Sequence, residues 1–174
     1  MTTVDSAADR LHAALHHVHP QAASLADLAS SAADRARAAL AGHAVMFDID
    51  DEAPLVWIDY ALAETALANV IENAAKYSPT GAPVRISAKA SEGGVIEVRD
   101  DGPGFPQPVA RLFGKFARGV QGDGRPPGLG LGLAIARGFL EAQGGGIEAG
   151  ARPDGRGGLV RLTLPLAPAA RPHG

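Results

Sequence analysis

The sequence of 174 residues contains no cysteine, which excludes disulfide bonds, thiolate catalysis and metal sites with cysteine ligands. It has no run of about 20 apolar residues, and its N-terminus lacks the basic and apolar regions of a secretory signal. A membrane span is therefore not predicted, and an intracellular location fits the sequence. The 16 Lys and Arg residues are scattered among 19 Asp and Glu residues. Because they form no basic stripe, nucleic-acid binding is disfavoured.

The chain does contain enough apolar residues for one globular domain. Hydrophobic residues make up 46% of the sequence and charged residues 20%, and a chain of this length can bury one substantial core but not two large ones. We expect residues 1–23 to form a helical appendage, residues 24–166 the domain, and residues 167–174 a loose tail.

The segment from Ala61 to Tyr77 has the pattern of a long amphipathic helix. Asp59 precedes it as a candidate N-cap, and Ser78-Pro79-Thr80-Gly81 ends it. Its apolar residues recur at three- and four-residue steps, which predicts that the helix packs against a sheet. These residues are Leu62, Ala63, Ala66, Leu67, Val70, Ile71 and Ala74.

A row of polar side chains follows the same helix. Asn69, Asn73 and Tyr77 are spaced at i, i+4 and i+8, and Lys76 lies close to that row. One interpretation is a solvated strip on a surface helix. The other is a ligand site, in which an amide oxygen binds a hard cation, a lysine binds phosphate and an aromatic ring packs beside a base. The row alone does not decide between them.

The remaining segments predict two more helices and a set of short strands. A helix should begin at Ser24, which starts a Ser-x-x-Asp signal, and end at Gly42, while a last helix should end at Gly144-Gly-Gly146. Alternation predicts that the first strand buries one face, that of Val45, Phe47 and Ile49. Helices on one face of a mixed sheet make a two-layer α/β sandwich of the α+β class. The strands are expected near 45–49, 84–88, 95–98, 147–149 and 159–164.

Two glycine-rich motifs carry most of the chemical information. Gly128-Leu-Gly-Leu-Gly-Leu133 opens the last helix, where backbone N–H groups and the helix dipole suit a phosphate chain. Its spacing differs from the dinucleotide and P-loop fingerprints, but close helix packing remains an alternative. Asp100-x-Gly102-x-Gly104 ends a strand, where the carboxylate can accept the amino group of adenine or simply form an Asp-Gly turn.

Taken in order, these motifs resemble the ATP-binding domain of sensor histidine kinases, in the GHKL superfamily with its Bergerat ATP-binding fold. The phrases Glu-Asn-Ala-Ala-Lys-Tyr and Pro-Gly-Leu-Gly-Leu-Gly-Leu-Ala-Ile are most similar to the KdpD-type kinases, which respond to potassium and turgor. The resemblance covers about residues 24–166. The N box is matched by Asn69–Tyr77, the first G box by Asp100–Gly104, the F box by Phe113–Phe116 with Arg118, and the second G box by Gly128–Leu133.

The resemblance implies a set of residue roles. Asn73 would ligate a Mg²⁺ ion that bridges the ATP phosphates, Asn69 and Lys76 would face those phosphates, and Arg118 would reach the γ-phosphate, so that Asn69, Lys76 and Arg118 are the candidate catalytic residues. Asp100 would receive the adenine amino group. The implied nucleotide-binding set is Asn69, Asn73, Lys76, Tyr77, Asp100, Gly102, Gly104, Phe113, Phe116, Arg118, Gly128, Leu129, Gly130, Leu131, Gly132 and Leu133.

Position 69 bears on the reaction. Gyrase-type ATPases of the superfamily carry a glutamate there as the general base for water, and the amide of Asn69 cannot take that proton. Rapid ATP hydrolysis is therefore disfavoured, and transfer of phosphate to a protein side chain is the better interpretation.

The acceptor is the main departure from the family. Histidine kinases phosphorylate a histidine that precedes an acidic residue on a dimerisation helix, but His12, His16, His17 and His19 are followed by Ala, His, Val and Pro. We expect the acceptor on a segment outside this sequence, with a response regulator as the next partner in the phosphorelay. The expected location is cytoplasmic, and the chain can belong to the cytoplasmic part of a membrane-bound sensor. No direct membrane contact is expected from this segment. The alternatives are a serine/threonine kinase of the anti-sigma-factor type and a nucleotide-binding regulatory module without transfer.

Overall fold

A computed structural model describes residues 17–105, 113 and 132–169. It contains seven strands, three α-helices and one 3₁₀ turn within these ranges. In chain order they are β1 (Gln21–Ala23), α1 (Leu25–Arg35), β2 (Val45–Ile49), β3 (Val56–Ile58), α2 (Tyr60–Tyr77), β4 (Val84–Ala88), the turn Ala90–Glu92, β5 (Val95–Arg99), α3 (Gly132–Glu141), β6 (Gly146–Ala151) and β7 (Gly158–Thr163).

Five strands form one mixed sheet in the order β2-β4-β5-β7-β6. β2 runs parallel to β4, whereas the other three neighbouring pairs are antiparallel. The short strands β1 and β3 pair antiparallel outside this sheet. The helices lie on one side of the five strands, and the core lies between the two layers. This arrangement confirms the predicted two-layer sandwich with a mixed sheet.

α2 is the central helix of this layer. The Asp59 carboxylate accepts a hydrogen bond from the Leu62 N–H at 3.2 Å, which confirms the predicted N-cap. Leu62 itself is only partly buried, while the rest of the predicted apolar face is buried. The buried residues of α2 are Ala63, Ala66, Leu67, Ala68, Val70, Ile71, Ala74 and Ala75.

α1 starts where the sequence predicts but ends earlier. The Ser24 hydroxyl accepts a hydrogen bond from the Asp27 N–H at 3.1 Å, which confirms the start signal. The helix ends at Arg35 rather than near Gly42, which lies at the end of the following turns with a φ of 87°. Leu40 nevertheless remains in the core.

The strand prediction for residues 45–49 is correct, but the predicted burial of Phe47 is wrong. Phe47 faces the helix layer and yet is 50% exposed. The reason is its position: β2 is an edge strand, and α1 ends too early to cover it, so that a groove lined by Ala33, Leu40 and Phe47 stays open. β1 was not predicted, and residues 55–58, read as an apolar run, contain the strand β3. Among the described residues, no helix is long and apolar enough to cross a bilayer.

On the outer face of the sheet, Glu97 forms a compact ionic cluster. Its carboxylate accepts two hydrogen bonds from Arg161, at 3.0 and 2.5 Å, and one from Arg99 at 2.7 Å. Glu97 is only 5% exposed. Burial by itself raises the pKa of Glu97, but the hydrogen bonds and charges of the two arginines outweigh it and hold that pKa below its ordinary value of 4.5.

We expect Glu97→Gln to destabilise the protein by about 1–3 kcal/mol at pH 7, because hydrogen bonds to a charged group are lost. The pKa of Glu97 is lower in the folded state, so the contribution of its charge is complete above pH 4.5 and is lost as the pH falls through the folded-state value. The difference in unfolding free energy between wild type and Glu97→Gln should therefore shrink on acidification. Urea titrations from pH 7 to pH 3 measure it, with the exposed Glu52→Gln as control. A pH-independent difference would contradict the prediction.

Candidate functional site

A narrow cleft lies between α2 and the facing ends of β5 and β7. Polar side chains enter it from α2 and from the end of β5, while apolar side chains form its floor. Its lining residues are Val70, Asn73, Ala74, Tyr77, Asp100, Gly104, Phe105, Gly158 and Val160. The cleft therefore brings Asn73 and Tyr77 of the predicted helix row next to Asp100 and Gly104 of the predicted motif.

Asp100 is the best-fixed polar residue of this cleft. It is 6% exposed, and its Oδ1 accepts hydrogen bonds from the backbone N–H groups of Gly102 at 2.8 Å and Gly158 at 3.3 Å. Its own N–H donates to the Gly158 carbonyl oxygen at 3.1 Å. Because Oδ1 is engaged in this way, the carboxylate has a defined orientation at the wall of the cleft.

The glycines around Asp100 are required by close backbone approach. A Cβ at Gly102 would lie 2.5 Å from the Tyr77 carbonyl oxygen, and one at Gly157 would lie 1.9 Å from the Asp100 carbonyl oxygen. Gly104 has a φ of 80°, which favours glycine. These close approaches require glycine at positions 102 and 157.

The N-terminus of α3 lies beside the asparagines of α2. A Cβ placed on Gly132, the first residue of α3, would be 4.0 Å from both the Asn73 Oδ1 and the Asn69 Cβ. Backbone N–H groups and the positive end of the helix dipole therefore sit next to an amide oxygen. An anion with a bound cation suits this combination of groups.

Lys76, Phe113 and Leu133 are predicted site residues that do not line the cleft. Lys76 is exposed, and its Nζ lies 6.0 Å from the centre of the Tyr77 ring. Phe113 is half-buried, with the Arg137 guanidinium 5.7 Å from its ring centre. Leu133 is buried in the core. Six predicted site residues lie outside the described part of the chain: Phe116, Arg118, Gly128, Leu129, Gly130 and Leu131.

Part of the site was not predicted from the sequence. Phe105 and Val160 line the cleft, and Gly157 and Gly158 contact Asp100 from the other end of the domain sequence. The only available signal was the Gly157-Gly158 pair directly before a predicted strand, where a close approach is a known use of glycine. Among the described residues, no group of three or more His, Asp or Glu side chains could hold a metal ion alone.

The known proteins that this chain resembles are ATPases and sensor histidine kinases. Residues 58–168 match the family described as histidine kinase-, DNA gyrase B-, and HSP90-like ATPase. The chain is 42% identical to the sensor protein KdpD of Escherichia coli over 113 residues, which is 64% of this chain but 12% of that protein.

Two solved structures of similar fold are a mycobacterial sensor histidine kinase, MprB, and full-length ShkA in complex with AMPPNP. MprB is 26% identical with a TM-score of 0.70, and the match covers 87% of this chain and 99% of that one. ShkA is 27% identical with a TM-score of 0.75, and the match covers 95% of this chain and 35% of that one.

We expect Gly157→Ala to destabilise the protein more than Gly155→Ala. Both glycines have a positive φ, so each substitution should cost about 1–2 kcal/mol of backbone strain. Only at Gly157 does the added Cβ collide with the Asp100 backbone, whereas nothing lies within 4 Å of a Cβ at Gly155. The collision should add about 1–3 kcal/mol, measured by chemical denaturation. Equal losses in the two variants would contradict a close contact between Gly157 and the Asp100 backbone.

Proposed function

The chain belongs to the family of histidine kinase-, DNA gyrase B- and HSP90-like ATPases, and from this membership and the geometry of its cleft we propose that it binds ATP with Mg²⁺ and donates the γ-phosphate to a histidine. The observation that carries the proposal is the oriented carboxylate of Asp100 in the same cleft as Asn73 and close to the N-terminus of α3. These groups match the two chemically distinct ends of a nucleoside triphosphate.

Asp100 is proposed to recognise the base. A carboxylate only accepts hydrogen bonds, so it pairs with the exocyclic amino group of adenine, whereas guanine offers a carbonyl oxygen at that edge. The apolar floor, with Val70 and Val160, suits the faces of a purine ring, and Tyr77 is proposed to pack beside it. The site should therefore prefer ATP to GTP.

Asn73 is proposed to hold the metal. An amide oxygen is one suitable ligand for Mg²⁺, which usually keeps several waters and takes further oxygens from bound phosphates. The described residues supply no carboxylate cluster that could bind the ion by itself. Mg²⁺ is thus proposed to bind together with the triphosphate, whose charge the α3 N-terminus also stabilises. The bound ion would neutralise charge on the phosphates during transfer.

Transfer to a protein is favoured over hydrolysis because Asn69 cannot act as a general base. Asn69 lies next to the α3 N-terminus, and we propose that it contacts phosphate oxygens. Lys76 and Arg118 are proposed to stabilise charge on the γ-phosphate during transfer. No histidine in this sequence is followed by an acidic residue. The proposed acceptor is therefore a histidine that precedes an acidic residue on a separate dimerisation segment. A response regulator would take the phosphate next, in the cytoplasm, as part of a potassium-responsive two-component system of the KdpD type.

The proposal is tested in two steps on one preparation. Calorimetric titration with ATP, ADP and GTP, with and without Mg²⁺, should give adenine-selective binding that Mg²⁺ strengthens. ATP labelled at the γ-phosphate is then added with a KdpD-type dimerisation segment, and with the same segment carrying alanine for its histidine. Acid-labile label on the histidine segment alone is the expected result. Label on serine or threonine, or tight binding without transfer to any segment, would contradict histidine kinase activity.

Asp100→Asn should weaken ATP binding by about tenfold or more, the value of one hydrogen bond to a charged group. The amide oxygen should take the place of Oδ1, which accepts two backbone N–H groups, so that the amide NH₂ would face the adenine amino group. The affinity for GTP should not fall, because guanine carries a carbonyl oxygen at that edge. Calorimetry of both nucleotides measures this, with the exposed Asp51→Asn as control. An unchanged ATP affinity in Asp100→Asn would exclude Asp100 as the base-recognising residue.

A further inference from the structure

An ion-pair cluster lies directly behind the loop that carries Asp100. Arg152, from the end of the β6 strand, donates a short hydrogen bond to the Asp101 carboxylate and another to Asp154 Oδ2 at 2.7 Å. Arg85 of β4 reaches the same Asp101 carboxylate at 3.3 Å. Asp101 is therefore held between arginines from two separate parts of the sheet.

The cluster also contacts Asp100 itself. The Arg152 Nη1 lies 3.4 Å from the Asp100 carbonyl oxygen, so that one guanidinium bridges the backbone of Asp100 and the side chain of Asp101. The Arg152 side chain is 14% exposed. A guanidinium with this degree of burial and three oxygen partners loses little further freedom and acts as a rigid fork.

The contacts on the two sides of Asp100 have different effects. The Gly158 backbone contacts Asp100 through its N–H and Oδ1, and neither hydrogen bond involves the side chain at position 152. Arg152 fixes the next peptide unit through the carbonyl oxygen, which sets the direction of the chain between Asp100 and Gly102. That direction determines where the Gly102 N–H holds the carboxylate.

We propose that Arg152, acting through Asp101 and the Asp100 carbonyl, is a positioning residue that orients the Asp100 carboxylate for recognition of the purine 6-amino group. The inference rests on the proposed function, because it assigns a determinant of base specificity to the same site. Arg152 does not line the cleft and need not touch the nucleotide. Substitution of Arg152 should reduce the affinity gained from the 6-amino group and leave the affinity for the triphosphate unchanged.

The test compares ATP with purine riboside triphosphate, which lacks only the 6-amino group, by calorimetry in the presence of Mg²⁺. The ratio of the two affinities measures the contribution of that group. The variants are Arg152→Ala, Arg152→Lys, and Arg156→Ala as matched control, since Arg156 lies in the same hairpin and its side chain is exposed. Asp101→Ala serves as a second variant that breaks the cluster from the other side, and thermal unfolding checks that each protein is folded.

Wild type should prefer ATP by about tenfold or more, as expected for one hydrogen bond to a charged group. Arg152→Ala and Asp101→Ala should bring the ratio close to one, Arg152→Lys should restore part of it, and Arg156→Ala should leave it unchanged. If Arg152→Ala lowered the affinities for ATP and purine riboside triphosphate equally, their ratio would be preserved. That result would overturn the positioning role and leave the proposed function intact. Failure of wild type to bind either nucleotide would overturn the proposed function, and this inference with it.

Discussion

The arrangement of the site depends on the close packing of α2 against the sheet and against α3. Five of its buried residues are alanines with exposed fractions of 0 to 5%: Ala63, Ala66, Ala68, Ala74 and Ala75. Small side chains let a helix approach its neighbours closely, and an interior packed in this way resists rotation of the helix. The asparagines on the adjoining side of α2 are therefore held at a fixed position relative to β5 and α3. Because α2 belongs to both the core and the cleft, the packing of the core sets the geometry of the cleft.

The opposite wall of the cleft depends on backbone hydrogen bonding. Asp100 and Gly158 are 58 residues apart in the sequence, and they meet because β5 and β7 are neighbours in the sheet. A buried carboxylate needs hydrogen-bond donors, and the backbone N–H groups of Gly102 and Gly158 donate to Asp100. The carboxylate at one end and the positive helix terminus at the other give the cleft a strong internal polarity.

Local features of the sequence predicted most of the fold. Asp59 and Ser24 were identified as N-caps because capping depends on residues only a few positions apart. The exposure of Phe47 could not be predicted in the same way, since it depends on how far α1 extends over an edge strand. β1 has only three residues, too few for a periodicity, and it is defined by its pairing with β3. Arg152 meets Asp101 across 51 residues, so nothing in the local sequence indicated its contact with the site.

The long separation between Asp100 and Gly158 also has a consequence for folding. The hairpins β4-β5 and β6-β7 join strands that are close in the sequence, whereas pairing of β5 with β7 must close a far longer loop. The strands beside Asp100 and Gly158 are thus expected to form early in separate hairpins and to pair late. A ligand that bridges them would act on contacts that are absent from the folding transition state. It would lengthen the lifetime of the native state and leave the rate of folding almost unchanged.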